Sequence, residues 1–219
     1  MTTKNAQSPT VLAVLDPEAI PLPAKILVLF GRASELYPLV LQFLFLRAQR
    51  DERLGLIVGD NHLNEYELAR LARAHAFDPQ TILAQIEFSR PFTCHQLHHC
   101  VVDLMPEKTN RWRALYILGL LDTFYDEDIR LPIVLQLLGD ILTQLRFIAS
   151  QGLPVLITLS PPPSETPRVE LIARVIRATD ALARPPGAAL RRVNDVPAWR
   201  PSSVALEHAE RTTQQIRFW

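Results

Sequence analysis

The stretch Ala24-Lys25-Ile26-Leu27-Val28-Leu29-Phe30-Gly31-Arg32-Ala33-Ser34-Glu35-Leu36-Tyr37-Pro38 decides the fold. Its first half is apolar and stops at Gly31, as a strand buried on both faces does. Pro38 to Arg50 (PLVLQFLFLRAQR) then reads as a helix with a proline near its first turn. A buried strand that runs through a short link into a helix is the opening unit of an α/β fold.

The same alternation continues downstream. Leu54 to Val58 (LGLIV) reads as a second strand. Asn64 to Ala76 reads as a helix opened by the Asn64/Glu67 capping pair, with Leu68, Leu71 and Ala72 on one face. Gln85 to Phe88 is a short strand, and Thr93 to Leu104 a helix opened by Thr93 and Gln96. Ala114 to Leu118 (ALYIL) and Leu153 to Leu159 (LPVLITL) are further strands around a helix from Leu131 to Ser150. Arg168 to Arg184 reads as a last helix. This order predicts a mostly parallel central sheet covered by helices on both faces. Residues 1–18 read as a tail, disordered over 1–10, residues 19–184 as the core, and residues 185–219 as a proline-rich extension with an edge strand near Leu190 to Val193.

The 219 residues suffice for one sizeable core. Formal charge balances, with 23 basic and 23 acidic side chains, so nothing global points to a nucleic-acid or membrane surface. Lysine occurs only at Lys4, Lys25 and Lys108; the remaining basic residues are arginines. Cys94 and Cys100 imply no disulfide framework. No apolar run is read as a membrane span, and the polar N-terminus lacks the apolar core of a signal peptide, so a reducing cytoplasm is expected.

In a parallel α/β sheet the first strand–helix junction is the natural phosphate site. A phosphate loop needs G-x-x-x-x-G-K-[ST], whose amides cradle phosphates while the lysine and hydroxyl serve phosphate and metal. Here Gly31 is in place. Leu36 stands at the second glycine, Tyr37 at the lysine and Pro38 at the hydroxyl, and Glu35 adds a negative charge. All of these changes oppose ATP, and Glu35 suits the positive end of a helix. An ordinary strand–loop–helix that never held phosphate is the plain alternative.

Several further segments, taken in order, resemble the ATPase core of the RecA/RadA recombinases. They are residues 19–26 (AIPLPAKI), Asp60 to Arg73 (DNHLNEYELARLAR), Arg90 to Leu97 (RPFTCHQL) and Leu115 to Asp126 (LYILGLLDTFYD). The resemblance covers about residues 19–182 and implies a three-layer RecA-like core. Carried over residue by residue, it places the family's metal-supporting acid on Gly119, with Asp122 three positions on. Its general base falls near Asp60, its polar sensor on Leu159 and Ser160, and its DNA loop on residues 161–167, followed by Arg168. Asp60 and Asp122 are thus vestigial catalytic candidates, and no nucleotide, cofactor or metal is expected.

Other clusters carry two readings each. Cys94, His95, His98, His99 and Cys100 hold metal-ligand types at i, i+4 spacing, or form a half-buried helix. Asp122, Asp126, Glu127 and Asp128 form an ion patch or a solvated loop. Arg111, Trp112 and Arg113 offer a DNA contact or a turn anchored by a buried tryptophan. Arg191-Arg192 and the closing Arg217-Phe218-Trp219 are equally open. The expected function is that of a non-catalytic recombinase paralogue, an accessory in DNA recombination or repair. It would work by protein partners or self-association, and by DNA through Arg168, Arg111 and Arg113. The alternatives are an atypical ATPase and an interaction module unrelated to DNA.

Overall fold

The computed structural model describes residues 10–12, 26–60 and 62–183. Its strands are β1 (Thr10–Leu12), β2 (Ile26–Phe30), β3 (Leu54–Val58), β4 (Ile86–Ser89), β5 (Ala114–Leu118), β6 (Val155–Leu159) and β7 (Ala181–Ala183). They form one seven-stranded sheet in the order β1-β7-β2-β6-β5-β3-β4, and every pair is parallel. The helices are α1 (Ala33–Ala48), α2 (Glu65–Ala74), α3 (Pro79–Ala84), α4 (Cys94–His99), α5 (Leu131–Ser150) and α6 (Glu170–Ala178). The expected three-layer α/β core, RecA-like in layout, is present.

Side chains alternate across the sheet and so fill two separate cores. Leu27, Leu29, Leu54, Leu56, Val58, Tyr116 and Leu118 face α1, α2 and α3. Ile26, Val28, Ile57, Leu115, Ile117, Val155 and Ile157 face α4, α5 and α6. Because both faces are covered, β3, β5 and β6 are buried along their whole length, which is why they read as apolar runs, broken only by Thr158 in β6. Each fully buried leucine or isoleucine contributes about 2 kcal/mol.

α5 is the one helix among the described residues that is long and apolar enough to cross a membrane. Its stripe Val134, Leu138, Ile141, Leu145 and Ile148 packs into the core, so its apolarity serves the sheet. The expectation that no such run exists is corrected on composition.

Gly55, the second residue of β3, makes room for an aromatic ring. A Cβ there would lie 2.6 Å from the indole of Trp112, which is 8% exposed and donates from Nε1 to Glu87 at 3.3 Å. Trp112 therefore anchors the turn before β5.

Several boundaries differ from expectation. Residues 10–12 add a strand to the sheet edge, where a disordered tail was expected. The last helix ends at Ala178, and β7 follows, tied to β2 by Asp180 N–H to Ile26 O (3.0 Å) and Ile26 N–H to the Asp180 carboxylate (2.9 Å). The helix expected over Thr93–Leu104 is α4 followed by a wider π-helical turn, Cys100–Leu104. The edge strand expected near Leu190–Val193, Arg191-Arg192 and Arg217-Phe218-Trp219 lie outside the described residues.

Candidate functional site

At the carboxyl ends of the strands, β2 leads to α1 on one face and β6 to α6 on the other. The crevice between diverging connections is where ligands of such sheets bind. Here it is closed by the helix itself. α1 was expected to begin at Pro38; it begins at Ala33, directly after Gly31 and Arg32. The amides of Glu35 and Leu36 donate to Arg32 O at 2.9 and 3.0 Å, and the Glu35 carboxylate accepts from Arg32 N–H at 3.3 Å. With Gly31 N–H donating to Leu159 O at 3.1 Å, four amides of this junction are engaged, and the helix's positive end faces its own carboxylate.

The side chains at this junction tell the same story. Leu36 is fully buried in the core, and the Tyr37 hydroxyl is buried with no partner among the described residues. Pro38 stands inside the helix, beyond the first turn, where it removes the donor that Ser34 O would otherwise have received. These residues form a helix turn, and the loop architecture expected there is absent.

A second crevice opens between β3, which leads to α2, and β5, which leads to α5 on the other face. It brings together the two acids expected to be vestigial. Gly119, just past β5, has φ +62° and lies between them: a Cβ there would be 2.7 Å from Asp60 Cγ and 2.6 Å from Asp122 Oδ2. Glycine is required both by that backbone and by the closeness of the carboxylates. The Gly119 amide donates to Thr158 Oγ1 at 2.9 Å, so β6 fixes the position. The buried hydroxyl here is thus Thr158, inside β6, while Leu159 points into the core and Ser160, just past the strand, is half-buried.

Burial first, and then the neighbouring Asp60, push the Asp122 carboxyl up to about 6. Asp60 is also raised, chiefly by burial, against the pull of His62, whose amide donates to Asp60 Oδ1 at 3.1 Å. Beside them the Tyr125 hydroxyl is buried without a hydrogen-bond partner among the described residues, and burial together with Asp122 raises its ionisation further. A carboxyl raised in this way can take up or release a proton near pH 6, and two neighbouring carboxylates can accept donors from a cationic group.

Arg168 is 5% exposed and cannot serve as a DNA contact. Its guanidinium donates to the carbonyls of Phe124 (2.9 Å), Asp126, Glu127 (3.3 Å) and Ile129. It clamps the loop that holds the acidic run Asp126, Glu127 and Asp128, in which Asp128 N–H donates to the Asp126 carboxylate at 3.1 Å. Arg111 and Arg113 are exposed, but they precede β5 at the opposite edge of the sheet. The three arginines therefore do not share a surface.

The cysteine–histidine cluster also divides. Cys94 is buried, His98 faces Asp140 (3.4 Å), and His99 pairs with Asp103 (2.7 Å). Burial raises both thiols above their ordinary ionisation. Among the described residues no three histidine, cysteine or carboxylate side chains converge on one point. Comparison with protein-family models finds no match to this chain, and comparison with curated proteins finds none either.

Proposed function

We propose that the protein is a non-catalytic RecA-like accessory of DNA recombination or repair, acting in the cytoplasm through protein contacts. One observation carries the non-catalytic part: the first junction is wound into α1, with the Glu35 and Leu36 amides bonded to Arg32 O and its positive end capped by Glu35. The RecA-like layout around that junction and the ordered sequence resemblance support the assignment to recombination. Protein contact is favoured over DNA contact because Arg168 is engaged and Arg111 and Arg113 lie at the other edge.

Two measurements test it. A fluorescent ATP analogue titrated with Mg²⁺ should show no saturable binding in the micromolar range; saturation overturns the non-catalytic reading. Purified chain mixed with a recombinase from its own cell should retain it, and failure to bind either a recombinase or itself overturns the accessory reading.

A second reading has one observation in its favour. The approach of Asp60 to Asp122 suits an atypical ATPase, with Asp60 as base and Asp122 supporting a metal. The same titration decides between the two.

A further inference from the structure

Two aromatic rings stand in water on the carboxyl edge of the sheet. Tyr66, in the first turn of α2, is 83% exposed, and Phe92, just before α4, is 69% exposed. Both are held on fixed backbone. Tyr66 N–H donates to the Asn64 side chain at 3.0 Å, and Phe92 N–H to Gln96 Oε1 at 2.7 Å. Arg90 joins the two segments by donating to Leu63 O (3.3 Å) and Glu65 Oε1 (2.6 Å). Rings presented so openly on capped, cross-linked helix starts contribute little to the core. Large exposed rings on rigid backbone are what binding surfaces use.

The charges on this edge say what would cover them. Glu65 and Glu67 are neutralised by Arg90 and Arg70. Asp60 and Asp122 form no ion pair with lysine or arginine among the described residues. Past β5, Asp126, Glu127 and Asp128 add three exposed carboxylates against the one guanidinium of Arg168, which is buried and bound to neutral carbonyls. The edge is thus aromatic and negative. A guanidinium fits both properties: it is planar, stacks on rings, and donates in a fork to paired carboxylates. Nucleic acid could use the rings but would bring phosphates against the acids.

We propose that the carboxyl edge around Tyr66, Phe92, Asp60 and Asp122 docks an arginine-bearing segment of a partner protein. This rests on the protein-contact reading above and names the partner's chemistry.

The test uses the full chain and a fluorescent synthetic peptide of arginines spaced by glycine and serine, with glutamate-for-arginine peptide and oligothymidylate as controls. The arginine peptide should bind and the controls should not. Tyr66→Ala with Phe92→Ala should weaken binding about tenfold, from two lost cation–ring contacts. Asp60→Asn with Asp122→Asn should weaken it comparably. The aromatic variant is a surface change, and an unchanged thermal melt shows that it folds. Peptide binding that is absent or indifferent to both variants overturns the proposal, as does oligothymidylate binding that the aromatic variant abolishes. A recombinase retained equally by the aromatic variant removes this surface while leaving the accessory function standing.

Discussion

Two crevices at the same edge of one sheet have opposite fates. Between β2 and β6 the helix has closed the site with its own amides, its own carboxylate and a buried leucine. Between β3 and β5 a glycine keeps space for two carboxylates, both disfavoured by burial and Asp122 also by its neighbour Asp60. The first is helix and core, with Leu36 buried and Glu35 capping α1, at the cost of a Tyr37 hydroxyl without a partner among the described residues and a helix bond removed by Pro38. The second retains groups whose arrangement costs stability, which is the pattern expected of a surface kept for binding.

The contrast can be broken at its strongest point by installing the phosphate-loop pattern at this junction. Leu36→Gly, the first step, should cost about 4 kcal/mol in chemical denaturation, since it empties a fully buried position and weakens a helix. A loss under about 1 kcal/mol would show that Leu36 is not core and that the junction can open. Next comes the clamp that holds the second crevice. Arg168→Ala leaves carbonyls of Phe124, Asp126, Glu127 and Ile129 without their donor and should cost about 3 kcal/mol in the same measurement.

Gly119→Ala should cost about 2 kcal/mol, from its left-handed backbone and the collision with both acids. The smallest effect concerns protons. In Asp60→Asn the like charge is gone, so the Asp122 carboxyl, followed by NMR titration, should fall from about 6 part of the way to the ordinary carboxylate range. Burial, the larger cause, remains. The sign for stability follows. A carboxyl whose folded value is raised favours the folded state while protonated, and that advantage disappears as pH rises from the ordinary carboxylate range through about 6. Asp122 is in contact with solvent, so the loss should be less than about 1 kcal/mol, and smaller still in Asp60→Asn.

What was legible in the sequence follows from what is local. β3, β5 and the body of α5 were readable because a strand buried on both faces is apolar throughout and a core helix repeats at its own period. β7 was not, since Ala181-Leu182-Ala183 carries no β-branched residue and only its pairing with β1 and β2 makes it a strand. The start of α1 is hidden in the sequence because residues 33–36 align with a phosphate loop, although Ala-Ser-Glu-Leu is an acceptable first helical turn. The identity of Asp60 and Asp122 as candidates was visible one at a time, but their meeting depends on β3 and β5 lying side by side. Arg168 was legible as a cation and invisible as a clamp, because its acceptors lie about forty residues away along the chain.

The indole of Trp112 resting on Gly55 gives this molecule an internal optical gauge. With Trp199 and Trp219 replaced by phenylalanine, all tryptophan emission comes from one ring wedged against β3 at the edge opposite the acids. Its colour should stay constant while a ligand occupies the carboxyl edge and shift to the red only when β3 and β5 separate. Occupancy and unfolding could then be read from one sample as two distinct signals.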